Sequence, residues 1–484
     1  MKSPSLLKFL GLSVSAIVLA SCQQTATNQA NAAMPVKQFV SSKKAKNVIL
    51  FIGDGMGVST ITAARIFDGQ SKGMSGEDNQ LSFETFPNVS LVKTYNLDSQ
   101  VADSAGTASA MNTGFKTQIG KINVQPDALF AKCSDEAAAP PVLFADLAET
   151  AGMSTGIIST ARITHATPAA VYGHAMSRGW ESDRDMSEIG NERGCTDLAT
   201  QMIEYGGTNG LEVALGGGRR NFIPKELEGG RRDDGKNLTT VWTGKSDNHI
   251  YASNVSELRA ISAKDKQSVL GLFDASHMNY EADRSDDDQP SLTEMTSFAI
   301  ENLAARDTGY YLMVEAGRID HAHHGTNAYR ALKDTQELSE AVAKAVEMTN
   351  PEDTLILVTA DHSHVLSIAG YPGIGNPILG VVKPIDRETG KLSDEPLLAS
   401  DGKPYTTLGY HNGPNTRTDD DDLSDNAVQG INFQQQTAIP MGSETHAGED
   451  VPLYAYGPGA QKARGVIDQA EIFDIMVDAV GFEK

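Results

Sequence analysis

Four apolar runs of strand length constrain this chain more than any other feature. They are Asn47-Val48-Ile49-Leu50-Phe51-Ile52, Thr155-Gly156-Ile157-Ile158-Ser159-Thr160, Tyr310-Tyr311-Leu312-Met313-Val314 and Thr354-Leu355-Ile356-Leu357-Val358-Thr359. A strand with one wet face alternates apolar and polar residues, whereas a continuous run needs cover on both faces. Helical patterns lie between the runs, most clearly at Asp197 to Tyr205, Leu292 to Ala305 and Ala328 to Met348. In the last, Leu338, Val342, Ala345 and Val346 share one face. Strands alternating with helices predict an α/β fold, with a central, mainly parallel sheet flanked by helices on both faces.

Two stretches interrupt this pattern. Residues 216–290 are polar and Gly-rich, and residues 371–443 are rich in Gly, Pro, Asn and Asp. Both are too long for ordinary loops and read as insertions forming surface subdomains. No internal repeat is visible.

In open α/β sheets, ligands collect beyond the carboxyl ends of the strands. The first run leads into Gly53-Asp54-Gly55-Met56-Gly57. This is no dinucleotide loop, because Val58 stands where the last glycine belongs and Asp54 would repel a pyrophosphate. The third run leads into Glu315-Ala316-Gly317-Arg318-Ile319-Asp320-His321-Ala322-His323-His324. One helical turn there puts Asp320 and His324 on the same face. The fourth leads into Asp361-His362-Ser363-His364, and Glu444-Thr445-His446-Ala447-Gly448-Glu449-Asp450 follows much later. Burying so many carboxylates without cations is very costly, so the pattern points to a multinuclear metal site. Mixed His and carboxylate ligands favour zinc or a similar ion, and all-oxygen sets favour magnesium or calcium. Ser104 lies among small residues in Val101-Ala102-Asp103-Ser104-Ala105-Gly106-Thr107, where an extended segment turns into a helix. That position suits an exposed nucleophile beside an anion, and equally a helix-capping Ser.

These segments, with Thr164-His165-Ala166-Thr167-Pro168-Ala169, closely resemble the alkaline phosphatases, in family order and over nearly the whole chain. Several details are closer to the animal enzymes than to the enteric bacterial type: Asp320 to His324, Gly370-Tyr371-Pro372 with Gly375-Asn376-Pro377, and the positions of Cys133 and Cys195. The resemblance implies a metal-dependent phosphomonoesterase that scavenges phosphate through a phosphoseryl intermediate at Ser104. One zinc would take Asp320, His324 and His446, and a second Asp54, Asp361 and His362. Magnesium would take Asp54, Thr167 and Glu315. Arg178 matches the phosphate-binding arginine. His165 and His364 would stand behind the ligands, His165 where the enteric type has Asp. A peripheral calcium would take Phe273, Asp274 and Asp288, although Gln289 holds the matching ligand position and Glu226 and Glu228 compete for another. Residues 371–443 resemble the crown insertion, and Tyr371 matches a residue that reaches the partner's active site, which implies a homodimer.

Rival readings on the same fold are a phosphodiesterase or a sulfatase. Sulfatases need a Cys or Ser followed by x-Pro-x-Arg, which neither Cys133 nor Ser104 has. Diesterases of the superfamily usually carry a Thr nucleophile and lack the third metal set. A net charge of −23 disfavours binding to nucleic acid or to anionic membrane surfaces.

The N-terminus reads as an export signal, with Lys2 and Lys8 before the apolar run Phe9 to Ala20. Leu19-Ala20-Ser21-Cys22 resembles a bacterial lipobox, with residues 1–21 as the signal peptide, Cys22 lipidated and 22–44 a flexible tether before a catalytic domain at 45–484. Gln23, rather than Asp, after the Cys favours the outer membrane. Plain secretion with cleavage near Ala30 to Ala33 is the alternative. With Cys22 acylated, Cys133 and Cys195 remain, and two cysteines in an exported chain usually pair.

Overall fold

The computed structural model describes residues 43–125, 141–206, 210–418 and 421–483, all within one compact unit, Val36–Lys484. Cys22 and Cys133, the signal peptide and nearly all of the tether lie outside the described residues.

The strands are β1 (Asn47–Gly53), β2 (Asn88–Lys93), β3 (Ser154–Arg162), β4 (Val213–Gly217), β5 (His249–Ala252), β6 (Ser268–Leu272), β7 (Tyr310–Ala316), β8 (Thr354–Ala360), β9 (Ser363–His364), β10 (Leu366–Ile368), β11 (Leu408–Gly413), β12 (Thr437–Pro440), β13 (His446–Ala447), β14 (Val451–Tyr456) and β15 (Gly465–Asp468). Ten of them form one sheet in the order β15-β2-β14-β8-β1-β7-β3-β4-β6-β5. Only β14 runs against its neighbours β8 and β2; every other pairing in this sheet is parallel. The four apolar runs became β1, β3, β7 and β8, which lie side by side at the centre of the sheet in the order β8-β1-β7-β3. Every residue of β7 and β8 is buried, as two-sided cover requires.

Helices Leu292–Ala304 and Ala328–Met348 pack against this sheet and each other, and the latter buries Leu338, Val342 and Ala345 along its inward face. Helix Leu198–Glu204 starts after Asp197, whose side chain caps it by accepting from the Thr200 N–H.

Residues 216–290 are not only a peripheral insertion. They contain β5 and β6, which extend the main sheet to its edge. Strands of four and five residues, one carrying Gly271, are too short to stand out as apolar runs. Residues 371–443 contain β11 and β12, which join β10 in a separate three-stranded sheet. A small apolar cluster of Val381, Leu423 and Val428, backed by Phe433, lies in the same stretch.

The register of the central strands sets up the site. Gly53 at the end of β1 lies beside Ala316 of β7 and Ala360 of β8. Three chains therefore leave the sheet at one level, delivering Asp54, Glu315 and Asp361 to the same place.

Leu50 is fully buried between Met313 and Leu357. Leu50→Ala is expected to lower unfolding free energy by about 2–5 kcal/mol, read as a shifted urea midpoint at unchanged slope; an unmoved midpoint would contradict two-sided burial of β1.

Candidate metal centre

Helix Ser104–Thr113 opens on Ser104, but its cap is Asp103, whose carboxylate accepts from the Gly106 N–H at 3.1 Å. Capping by Asp103 leaves the Ser104 hydroxyl free of that duty. The hydroxyl is not open to solvent as the small neighbours suggested: Ser104 is 2% exposed, and its Oγ lies 3.3 Å from His362 Nε2. The helix start brings the positive end of its dipole to this oxygen.

Asp320, His324 and His446 converge. Asp320 Oδ1 is 3.3 Å from the Nε2 atoms of both His324 and His446, and those two nitrogens are 3.2 Å apart. The protons of both rings are accounted for. His446 Nδ1 donates to the Ala102 carbonyl at 2.8 Å, and His324 Nδ1 to the Glu444 carbonyl at 2.7 Å, since a carbonyl can only accept. With Nδ1 so committed, Nε2 of each ring is the atom turned inward, and two ring nitrogens and a carboxylate oxygen face one another. A tetrahedral ion with bonds of about 2.0–2.1 Å spaces its ligands about 3.3 Å apart. The three atoms fit such an ion.

A second cluster joins Asp54, Asp361 and His362. His362 Nε2 lies 3.3 Å from Asp361 Oδ2 and 3.6 Å from Asp54 Oδ1. Its Nδ1 faces the Ser363 carbonyl at 3.3 Å, and burial keeps the ring neutral by holding it well below its usual range. The stacked rings of His362 and His446, 3.6 Å between centroids, bring the two clusters into contact.

The third set gathers around Asp54, Thr167 and Glu315. Both Asp54 carboxylate oxygens, Thr167 Oγ1, Glu315 Oε1 and Asp361 Oδ2 are buried without a hydrogen-bond partner. Buried polar atoms in folded proteins are normally paired. Five orphaned oxygens in one place are what unfilled cation ligands look like, so the residues fit the metals the sequence implied. Burial first, then repulsion from Asp361, raises Asp54 well above the carboxylate range, and burial pushes Glu315 up to about 7. The other Glu315 oxygen accepts from the Ser159 hydroxyl. His165 offers a ring nitrogen to the same set as Asp54 and Glu315.

Arg178 reaches this centre from the side. It donates to Asp103 Oδ2 at 3.2 Å and to His165 Nε2 at 3.0 Å. Asp103 also accepts from Asn96 Nδ2 and the Gly120 N–H, both at 3.0 Å, so the guanidinium has a fixed seat beside Ser104. His364 lies behind the first cluster. Its Nε2 donates to Asp320 Oδ1 at 2.8 Å and its Nδ1 to Glu444 Oε2 at 2.6 Å. Burial opposes charge on this ring, yet the two carboxylates outweigh it and push His364 up to about 10. Gly55, at φ 71°, has no alternative here: a Cβ would come within 2.3 Å of the His364 ring.

The calcium candidates differ in their surroundings. Asp288 is exposed, and Asp274 already accepts from Gln289 Nε2 at 2.9 Å and from the Ser276 N–H at 2.8 Å. The Gln289 amide, a donor in place of a second carboxylate, occupies Asp274, and Phe273 is a buried core residue. Among the described residues, no cluster of three potential metal-binding side chains includes Asp274 or Asp288.

Sequence reasoning missed the parts that aim these ligands. Asp103 as the seat of Arg178, Ser159 behind Glu315, and Ser363 held by Glu449 at 2.6 Å make contacts across long sequence separations that no local spacing reveals.

The family model described as "Alkaline phosphatase" matches residues 45–482. The tissue-nonspecific alkaline phosphatase isozyme of Gallus gallus is 40% identical over 450 residues, covering 89% of this chain and 84% of that protein. The alkaline phosphatase of Gadus morhua is 39% identical over 447 residues, covering 89% and 91%. The solved alkaline phosphatase of Thermus thermophilus aligns with a TM-score of 0.65 at 25% identity, covering 97% of this chain and 96% of that one. That of the Antarctic bacterium TAB5 aligns at 0.63 and 22%, covering 91% and 100%, a likeness of fold alone.

Stripped of metal, the centre is expected to make stability fall as pH rises. Folded Glu315 holds a proton that the unfolded chain releases near its ordinary value of 4.5, so its contribution is complete below that pH and lost on the way to about 7. Melting of the chelated protein should fall between pH 5 and 7, and Glu315→Gln should flatten part of that slope. Equal slopes in the two chelated proteins would contradict the assignment.

Proposed function

The chain belongs to the alkaline phosphatase family, and we propose that Ser104 is the nucleophile with which it hydrolyses phosphate monoesters to alcohol and inorganic phosphate. One observation carries this reading: the Ser104 oxygen sits 3.3 Å from a bare nitrogen of His362, at the edge of clusters whose electron-rich atoms demand cations. Asp320, His324 and His446 would hold one zinc; Asp54, Asp361 and His362 a second; Asp54, Thr167 and Glu315 a magnesium. Calcium is left out, because Gln289 already engages Asp274. When bound, these ions supply Lewis-acid stabilisation of attacking and leaving oxygens and lower the pKa of hydroxyl groups and water.

The rest of the work falls to the chain itself. Arg178, seated on Asp103 and His165, presents N–H groups that can hold two non-bridging phosphoryl oxygens at once. It thereby turns the phosphorus toward Ser104 for in-line attack. The Ser104 hydroxyl gives up its proton as its Oγ bonds to phosphorus, the bond to the ester oxygen breaks, and that oxygen takes up a proton to leave as the alcohol. Water then attacks the phosphoserine from the vacated side, releasing inorganic phosphate and restoring the hydroxyl. The positive helix start favours the alkoxide that appears twice in this cycle. His165, kept neutral chiefly by burial and then by Arg178, accepts from the guanidinium without competing for the phosphate.

Several further assignments accompany this one. Residues 1–21 are the lipoprotein signal, Cys22 carries the lipid, 22–44 form the tether, and the catalytic domain at 45–484 sits at the outer membrane, scavenging phosphate. No helix among the described residues is long and apolar enough to cross a membrane. Cys133 pairs with Cys195. The enzyme is a homodimer, with 371–443 as its crown-like part. Tyr371 supports this, being 93% exposed at a backbone φ of 61°, a poor place for an aromatic ring unless something covers it.

The test is hydrolysis of p-nitrophenyl phosphate at alkaline pH. Chelation should abolish activity and zinc with magnesium restore it. Ser104→Ala should lose at least about a thousandfold in kcat, and Arg178→Ala about a hundredfold. Turnover of diesters or sulfate esters, with none of the monoester, would overturn the substrate class.

A further inference from the structure

Glu444 has no part in the roles assigned above, yet it touches His324 of the first cluster and the His364 ring behind Asp320. It is 1% exposed. Its backbone carbonyl accepts the Nδ1 proton of His324 at 2.7 Å, and its backbone N–H donates to the His324 carbonyl at 3.0 Å. Its side chain accepts from His364 Nδ1 at 2.6 Å through Oε2 and from the Val365 N–H at 2.8 Å through Oε1. His364 in turn donates to Asp320 Oδ1 at 2.8 Å. Two residues further on, His446 pairs with His364 through the β9–β13 ladder. Each of the three ligands is thus reached from Glu444 in one step or two.

We propose that Glu444 is a positioning residue that preassembles the Asp320–His324–His446 cluster, through its carbonyl on His324 and through His364 on Asp320; this rests on that cluster holding zinc. The backbone contact fixes which nitrogen of His324 carries the proton, so that Nε2 faces the cluster as a lone pair. The carboxylate contact holds His364 so that one Asp320 oxygen is pinned 3.3 Å from both imidazoles. Glu444 is not itself a ligand, although its carboxylate lies within ligand range of His324 and His364. Each of its oxygens already faces a donor, and both nitrogens of His364 are committed to carboxylates.

The test is the affinity of the full-length protein for zinc, measured by competition with a chromophoric chelator. Removing a partner behind a metal ligand typically costs 10–100-fold in affinity. Glu444→Gln, which keeps the side chain's shape, should weaken one zinc equivalent by about 10–100-fold and leave the other unchanged. Saturating zinc should return its kcat to near the wild-type value, because all three ligands remain. His364→Asn should show a similar loss, and the double variant no more than either single one, since the side chain of Glu444 acts through His364. An unchanged affinity in folded Glu444→Gln, or losses that multiply in the double variant, would overturn the proposal. Should Glu444→Gln fail to fold, the His364→Asn variant decides: full affinity there would remove the link to Asp320. A wild-type protein with no chelatable zinc would instead sink the metal assignment on which the proposal stands.

Discussion

Repulsion among buried lone pairs is the constraint on which this molecule is organised. Asp54, Asp361, Glu315 and Asp320, with the bare nitrogens of His324, His362 and His446, crowd beyond the ends of β1, β7 and β8. No arrangement of side chains alone relieves that crowding, as the five orphaned oxygens attest. The centre of a ten-stranded sheet holds these groups together. Cations then gain affinity from repulsion already present in the folded protein, rather than by ordering a floppy site.

The supporting shell has a division of labour. Carbonyl groups of Ala102, Ser363 and Glu444 each take an imidazole proton and so set the tautomers of three histidines. Carboxylates do the opposite for His364, which keeps protons on both sides and acts as a strut. The two-residue strands β9 and β13 pair His364 with His446 and Ser363 with Ala447. That short ladder joins the segments carrying ligands of two clusters, and the stacked His362 and His446 rings complete the join. The third set shares Asp54 with the second cluster and has supports of its own in Ser159 behind Glu315 and Arg178 on His165.

The centre of the fold was legible because two-sided burial leaves a plain mark. Val48 to Ile52 and Leu355 to Val358 could only be strands covered twice. The edges were less legible. His249–Ala252 and Ser268–Leu272 are too short to announce a strand, so part of the sheet read as an insertion. The exposure of Ser104 was misjudged for a related reason: small neighbours leave room for a ligand, but the same room lets His362 and the helix close over the hydroxyl. The Gln289 amide on Asp274 was likewise not legible, because its orientation is set by the Asn279 N–H, which Gln289 Oε1 accepts.

By itself, the sequence determined the four central strands, the mainly parallel sheet and the identity of the residues with ligand chemistry. Those follow from local composition: apolar runs, helical spacing, and carboxylates and imidazoles placed directly after strand ends. Only the tertiary structure decided which nitrogen of each histidine faces inward, that Asp103 rather than Ser104 caps the helix, and that Asp320 and Glu444 share His364. Those outcomes depend on hydrogen-bond partners as many as 344 positions away, as between His446 and Ala102. A spacing rule within one segment carries no information about such a partner; the direction in which two distant segments leave the sheet does.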